Sequence, residues 1–394
     1  MKSLELFVGA GGLAMGVSRA GFSPLAVVEW DRDACETIRE NQRRGVDPVR
    51  HWPLHHMDVR DFNYSGISHQ VDLLAGGPPC QPFSLGGKHR GHRDERDMFP
   101  QVVRAVRELR PRAILVENVK GLTRQSFARY FEYIKLQITY PDIVDRKNEG
   151  WLDHLTRLER YHTRGKRDSL HYRVVTRLLN AADYGVPQRR ERVFFVGFRS
   201  DLGLEWSFPR ATHSLEALLW EQWVSGEYWD RHRVAKRNRP TISSRHHLKV
   251  DALKESGMRP SEKPWRTVRE AISDLPRPTE SASTGVHNHK LILGARSYPG
   301  HTGSPFDEPA KTLKAGAHGV PGGENMLAYS DGRVRYFTVR ESARLQNFPD
   351  DYVFSGSWTE SMRQLGNAVP VGLGQAVASD IRALLHRNTG ASKN

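Results

Sequence analysis

The chain has 394 residues, 38% of them hydrophobic, which is enough for one large domain or two ordinary ones around a sizeable core. Its 59 Lys and Arg against 45 Asp and Glu leave a formal charge of +14, a surplus that favours a polyanionic partner such as DNA, RNA or a membrane surface. Two cysteines exclude a disulfide framework, no Cys-x-x-Cys pair offers a zinc knuckle, and no run approaches the roughly 18 apolar residues of a membrane span. The opening "MKSLELFVGA" meets glycines too soon for a signal peptide, so an intracellular protein is expected. The histidines of "RHHL" (245–248) and "HNHK" (287–290) sit in polar surroundings and are read as surface; no metal site is expected.

The first 200 residues alternate strand and helix. "LELFVG" (4–9) reads as a buried strand and "GLAMGVSRAG" (12–21) as a helix. "PLAVVEW" (24–30) is a second strand and "RDACETIRENQ" (32–42) a second helix. A short extended piece precedes Asp58, and "VDLLAGG" (71–77) is the next strand. "MFPQVVRAVREL" (98–109) places Val102, Val103, Val106 and Leu109 on one helical face. "RAILVENV" (112–119) and "RVFFVGF" (192–198) are further apolar strands. This pattern predicts an α/β fold: a doubly wound, mostly parallel sheet covered on both faces. From about 200 to 330 the chain turns rich in Arg, His, Pro, Gly, Ser and Trp, with little periodicity. It reads as a second, smaller domain or a long insertion. Helical periodicity returns at "FTVRESARLQNF" (337–348) and "GLGQAVASDIRALLHR" (372–387).

Four places carry candidate chemistry. "FVGAGGLAMG" sets Gly9, Gly11 and Gly12 between the first strand and first helix, where the backbone can turn tightly and approach a ligand. Glu29, ending the second strand, suits the hydroxyls of a ribose. NAD, FAD and S-adenosylmethionine all fit this pattern, and so does a purely structural turn. Asp58 either takes an adenine amino group or is a loop residue. Cys80, after "GGPPC", stands at a strand end stiffened by Pro78 and Pro79. It reads as a held nucleophile or as a buried small hydrophobe, whereas Cys35, inside a helix pattern, reads as core. Glu117 in "ILVENVKG" follows an apolar run that would desolvate it and suit it to proton donation, unless it caps a helix or lies on the surface. Arg189, Arg190 and Arg192 in "VPQRRERVFFVGF" offer a clamp for carbonyl or phosphate oxygen, or a plain surface charge run.

Taken together, "FVGAGG", "GGPPCQPFS", "ENV", "QRRERVFFVGF", "RESARLQNFPD" and "GNAVP" closely resemble, in order and spacing, the DNA (cytosine-5-)-methyltransferases of bacterial restriction-modification type. The resemblance covers most of the chain except roughly 120–170 and 200–330. It implies a Rossmann-like, S-adenosylmethionine-dependent catalytic domain (1–199 plus 360–394) and a target-recognition domain with connecting hinge (200–359). It implies Cys80 as the thiolate that adds to carbon 6 of a flipped-out cytosine. Glu117 would act at ring N3 and Arg192 at O2, with Arg190 in support. S-adenosyl-L-methionine, yielding S-adenosyl-L-homocysteine, would meet Phe7, Gly9, Gly11, Gly12, Glu29, Trp30, Asp58, Pro79 and Asn367. The last helix should return to the first domain, and "QPFSLGGKHRGHRDERDMF" (81–99) looks like a loop that closes over the base.

The implied partners are double-stranded DNA and, functionally, a cognate restriction endonuclease. A cytoplasmic, nucleoid-associated monomer without membrane contact is the expectation. The stretch 120–170 is longer than the family pattern needs; it reads as an elaborated helical excursion touching DNA or as a surface insertion, the latter slightly preferred. Three other readings compete: a transfer-RNA cytosine-5 methyltransferase, a catalytically dead DNA-binding member, and a nicotinamide-dependent dehydrogenase. The first is countered by the long 200–330 region, the second by the intact Cys80, Glu117 and Arg192. The dehydrogenase would leave the Pro-Pro-Cys corner and the charge unexplained.

Overall fold

The computed structural model describes residues 1–79, 97–165, 169–281, 285–315 and 323–391. Cys80 and most of the glycine-rich segment 81–99 therefore lie outside the described residues.

The principal sheet has seven strands: β1 (Lys2–Leu6), β2 (Ser23–Glu29), β3 (Leu54–His56), β4 (Leu73–Gly76), β5 (Ala113–Val119), β6 (Tyr172–Asn180) and β7 (Glu191–Arg199). Their order is β3-β2-β1-β4-β5-β7-β6. The pairs β1–β2, β2–β3, β1–β4 and β4–β5 are parallel, and β7 runs antiparallel to β5. The sheet is thus mostly parallel, and its central strands carry the continuous apolar runs that burial on both faces demands. The chain leaves β1 toward β2 and β3, then returns to build β4 and β5 on the other side. The order reverses between β1 and β4, and in open sheets of this kind ligands sit outside the carboxyl ends of the strands at that reversal.

Helices α1 (Gly12–Arg19), α2 (Arg32–Arg43) and α3 (Phe99–Leu109) connect the strands. Asp31 caps α2, its carboxylate accepting from the Ala34 amide at 2.9 Å. α3 buries Val102, Val103 and Val106 on its apolar stripe. β1 stops at Leu6, earlier than the apolar run suggests, because Phe7 leaves extended geometry with φ 55°. β1 and β4 approach so closely that a Cβ on Gly76 would lie 2.9 Å from the Leu6 carbonyl oxygen.

The stretch after β5 corrects the reading of a surface insertion. It forms α4 (Ala128–Thr139) and α5 (Trp151–Thr163), and Tyr130, Tyr133, Ile134, Leu155 and Leu158 join the main hydrophobic core with Leu4, Val106 and Phe195. The physical reason is that its apolar residues are interleaved with aromatic and histidine side chains that satisfy one another. Tyr133 Oη and His154 Nδ1 lie 2.9 Å apart, and His154 Nε2 meets the Ile143 carbonyl at 2.8 Å.

The chain divides into two compact units. The first comprises Met1–Leu179, Glu191–Pro209 and Gly374–Asn394; the second, Asn180–Arg190 and Arg210–Leu373. Most of the last helix, α12 (Val371–Ala391), belongs to the first unit, where a Cβ on Gly374 would touch Leu13 of α1 at 3.1 Å.

The second unit has no large sheet among its described residues. It contains α6 (Leu215–Trp223), α7 (Glu227–Arg231), α8 (His247–Ser256), α9 (Val268–Ile272), α10 (Val339–Arg344) and α11 (Trp358–Asn367), with short paired strands between them. Capping boxes start α9 at Thr267 and α10 at Thr338. One of its cores joins Val268, Ile272, Leu313, Leu327, Phe337 and Leu345; another joins Leu218, Tyr228, Trp229 and Val234. His289 corrects the surface reading of its segment. It is 1% exposed, with Nδ1 2.9 Å from the Thr338 hydroxyl and Nε2 2.7 Å from the Pro276 carbonyl.

Candidate active site

The turn after β1 combines three left-handed residues in five: Phe7 (φ 55°), Gly9 (φ 56°) and Gly11 (φ 88°). The two glycines adopt this region freely. Phe7 does not, and a bulky side chain there costs on the order of 1 kcal/mol or more, strain of the kind that concentrates at ligand sites. A Cβ at Gly9 would meet nothing within 4 Å, so conformation and open space, not packing, call for glycine. Gly12 is the first residue of α1, which places a helix N-terminus beside the turn.

Glu29 closes β2 and is buried. Its carboxylate accepts the backbone N–H of Gly9 at 2.7 Å, of Trp30 at 2.9 Å and of Asp31 at 2.7 Å. The first of these bonds ties the β1 turn to the end of β2 across 20 residues. Burial pushes the carboxyl above the usual range, and the three amides pull it partly back. Trp30, directly beside it, leaves its indole 68% exposed. Asp58 follows β3, accepts the Arg60 amide at 2.8 Å and pairs with the Arg60 guanidinium at 2.6 Å. That hydrogen bonding holds its carboxyl below the ordinary value.

The carboxyl ends of β4 and β5 meet next to this turn. Gly77 follows β4, and a Cβ there would sit 3.0 Å from Glu117 Oε2. Glu117, 7% exposed, pairs its Oε1 with Arg192 Nε at 2.8 Å. The antiparallel β5–β7 register explains the contact: Glu117 faces Phe194 and Val119 faces Arg192, so the pair is diagonal across one ladder. Arg192 also donates through Nη1 to the Glu191 carbonyl at 2.9 Å.

Asn118 stands out in the sequence only as a neighbour of Glu117, and the fold gives it a role. Its Nδ2 donates to the Pro78 carbonyl at 3.2 Å, and its Oδ1 accepts the Val119 amide at 2.8 Å. The corner Gly77–Pro78–Pro79 is thus pinned to β5 immediately before Cys80. Pro79 is exposed and Pro78 buried. No sequence pattern signals this link, because it depends on β4 and β5 being neighbours.

Two predicted site residues belong to the second unit. Arg190 is fully buried, donating Nη1 to the Leu313 carbonyl at 2.8 Å and Nη2 to the Gly366 carbonyl at 2.6 Å. Asn367 ends α11 and is exposed. Gly366 before it allows no side chain, since a Cβ would fall 2.1 Å from the Ala315 amide nitrogen.

Cys35 behaves as core: it is fully buried, its Sγ lies 3.5 Å from the Glu29 carbonyl, and burial pushes the thiol up to about 12. Sequence reasoning passed over Glu5. It lies in the middle of β1 between Val27 and Ala75, and burial lifts its carboxyl to about 8. Its Oε1 has no hydrogen-bond partner among the described residues. A charged residue inside a six-residue apolar run was the available signal.

Comparison with known proteins agrees with this geometry. The family model for C-5 cytosine-specific DNA methylase matches residues 1–139 and 155–383. The type II methyltransferase M.NgoMIV of Neisseria gonorrhoeae is 32% identical over 98% of this chain and 99% of its own. The type II methyltransferase M.Eco47II of Escherichia coli is 32% identical over 98% of this chain and 79% of its own. Among solved structures, a DNA modification methyltransferase encoded within an E. coli prophage shares the fold with TM-score 0.55 at 21% identity, covering 98% of this chain and 99% of that one. The S. pombe Dnmt2 methyltransferase does so with TM-score 0.57 at 17% identity and the same coverage. The chain belongs to the C-5 cytosine-specific DNA methylase family and is a DNA (cytosine-5-)-methyltransferase of restriction-modification type.

Proposed function

We propose that the chain methylates carbon 5 of cytosine within a specific double-stranded DNA sequence, through attack of the Cys80 thiolate on carbon 6 of a flipped-out base. The observation that carries this reading is the Glu117–Arg192 pair, set against the pinned corner that leads into Cys80. Carbon 5 of cytosine is a poor nucleophile. Bond formation between the Cys80 sulfur and carbon 6 makes the ring enamine-like and electron-rich at carbon 5. Glu117 would hold a proton at N3, and Arg192 would donate to O2, where charge accumulates. Donors fixed in a dry site in this way are worth several kcal/mol, roughly 3–4 for one well-placed group. Loss of the carbon-5 proton then lets the carbon–sulfur bond break and returns the thiolate.

The residues around the β1 turn fit S-adenosyl-L-methionine. The open face at Gly9, the tethered Glu29 carboxylate and the exposed Trp30 indole lie at one strand edge, suited in turn to a backbone-hugging chain, ribose hydroxyls and a purine. Phe7, Gly11, Gly12, Asp58, Pro79 and Asn367 would complete that set. When bound, S-adenosyl-L-methionine supplies an electrophilic methyl group on a sulfonium centre. Asp58 would have to share its oxygens with Arg60 to reach an adenine amino group.

The target carbon is inaccessible in a duplex, so the base must leave the stack, costing a few kcal/mol. The charge of +14 favours the phosphate contacts that would offset this cost. The second unit would read base edges. Protection of host DNA from a cognate endonuclease, action as a cytoplasmic, nucleoid-associated monomer, and a catalytic/recognition division near residue 200 complete the proposal. Among the described residues no helix is long and apolar enough to cross a membrane.

The test is methyl transfer from labelled S-adenosyl-L-methionine to long mixed-sequence DNA and, in parallel, to total transfer RNA, followed by bisulfite sequencing. Label at one short DNA motif is expected. Label confined to RNA would overturn the substrate assignment while keeping the chemistry. Cys80→Ser should abolish transfer and leave DNA affinity within a few-fold; full activity in that variant would remove the thiolate mechanism.

A further inference from the structure

A cavity of about 610 Å3 lies within the first unit, at the end of the sheet away from Glu117. The amino end of β5 lies beside it: the Arg199 amide, at the end of β7, donates to the Arg112 carbonyl at 3.0 Å. β5 rises about 20 Å from Ala113 to Val119 at roughly 3.3 Å per residue, so the cavity and the candidate active site occupy opposite ends of that strand. The walls come from the end of α3 (Arg110), the start of β6 (His171, Arg173) and the residues at and after the end of β7 (Arg199, Ser200, Asp201).

The charges are arranged unequally. Arg199 is committed: its Nε and Nη2 bind Asp201 at 2.8 and 3.1 Å, and its Nη1 binds the Arg110 carbonyl at 2.6 Å. Asp201 is thereby spent on Arg199, and its carboxyl is held low. Among the described residues, Arg173 has only a long contact of 3.5 Å to the Leu204 carbonyl and a well-exposed Glu205 at 4.0 Å. Arg110 has no side-chain hydrogen bond or ion pair among the described residues. Its backbone is left-handed, φ 45° and ψ 51°, at the C-terminal cap of α3. Glycine is the residue that position ordinarily takes, so a guanidinium is presented there against the backbone preference. His171 turns Nδ1 to the Ser169 carbonyl at 3.2 Å and to the Ser200 hydroxyl at 3.1 Å.

We propose that this cavity binds a small phosphorylated ligand of nucleotide size, its phosphate held between the guanidiniums of Arg110 and Arg173. Planar guanidiniums fork onto phosphate oxygens, and the volume lies within the range of small-ligand sites, about 300–1,000 Å3.

Calorimetric titration of the full chain with inorganic pyrophosphate and with ADP tests this. Binding of either probe below about 1 mM is expected, and Arg110→Gly and Arg173→Gln should each weaken it at least tenfold. Arg110→Gly also relieves the left-handed strain, so its melting temperature should equal or exceed that of the parent. ADP binding while pyrophosphate does not would place the nucleoside in the recognition, and the reverse would leave the phosphates alone as the ligand. Absence of binding at 10 mM, equal binding by parent and variants, or a lowered melting temperature in Arg110→Gly would overturn the proposal. So would a loss of affinity in these variants seen only with a short non-target duplex, which would mark a DNA contact instead.

Discussion

Two neighbouring buried arginines, Arg190 of the second unit and Arg192 of the first, use their guanidiniums in opposite ways. In the second unit, Arg190 and Arg340 are fully buried and spend their guanidiniums on backbone carbonyls: those of Leu313 and Gly366 for Arg190, and those of His287, Pro349 and Tyr352 for Arg340. In the first unit, Arg192, two residues beyond Arg190, meets the carboxylate of Glu117 instead. A guanidinium satisfied by carbonyls cross-links loops whose backbone has no other partner, and it holds a unit poor in regular structure together. A guanidinium paired with a carboxylate at a strand end instead holds two opposite charges side by side. The motif "RRER" therefore holds Arg190 and Arg192 in different roles, although the family resemblance assigns both to chemistry.

Parallel replacement is the sharpest way to break that comparison. Lysine keeps the charge but lacks the fork. Arg192→Lys is expected to lower the methyl-transfer rate 10²–10³-fold, about 3–4 kcal/mol of barrier, while the melting temperature moves by only a few degrees. Arg190→Lys strands at least one carbonyl in the interior and should cost roughly 2–3 kcal/mol of stability in urea unfolding. A stable Arg190→Lys, or an unfolded Arg192→Lys, would reverse the two roles.

Gly366 tests the same loop from the other side. Its missing side chain lets α11 lie on the 314–315 backbone, with a virtual Cβ 2.1 Å from the Ala315 nitrogen. Backbone cannot rotate away as a side chain does. Gly366→Ala should therefore reach the upper end of the roughly 1–3 kcal/mol typical of overpacking, read as a lower urea midpoint. Retention of the parent midpoint would mean that the second unit is looser than its buried arginines imply.

The contrast also explains what the sequence made legible. Strands β1, β2, β4, β5 and β7 are continuous apolar runs, and the glycine turn, Glu29 and Glu117 stand at their ends, so the strand–helix order and these residue types could be read directly. Phe7's left-handed backbone and the Asn118–Pro78 bond could not, since both arise from tertiary packing. α4 escapes a sequence reading because "ARYFEYIKLQIT" is rich in aromatic and β-branched residues that favour strands, and burial overrides that preference. β6 carries Arg173 and Arg177 on an edge, which masks its pattern as charged edges do. In the second unit the core rests on groups such as Tyr228, whose hydroxyl donates to Asp307, itself paired with Arg269. Polar residues of that kind read as surface in a sequence, as His289 does.

Glu5 offers a pH test confined to the first unit. Its carboxyl ordinarily titrates near 4.5 and is raised to about 8 by burial. Between those values the folded chain holds a proton that the unfolded chain has lost. Its contribution is complete below about 4.5 and is lost as pH rises through about 8. Across that window stability should fall by up to about 1.4 kcal/mol per pH unit from this group. Glu5→Gln should flatten that slope in urea titrations at pH 5, 6, 7 and 8. An unchanged slope would show that Glu5 is ionised in the folded chain, and the orphaned Oε1 would then need another account.

The smallest effect is expected at Trp30, where stability and binding should separate. The indole is 68% exposed, so Trp30→Ala removes little buried surface and should alter stability by less than about 0.5 kcal/mol. Stacking of a base on an aromatic ring is worth roughly 1–3 kcal/mol, so loss of the indole should weaken S-adenosyl-L-methionine binding about tenfold if the purine lies there. Quenching of tryptophan fluorescence in the parent and equilibrium dialysis in both proteins would measure it. Equal affinity in parent and Trp30→Ala would move the purine away from the indole and leave Glu29 alone to orient the ribose. A stability loss in Trp30→Ala would instead make the indole part of the turn's own support, which its exposure argues against.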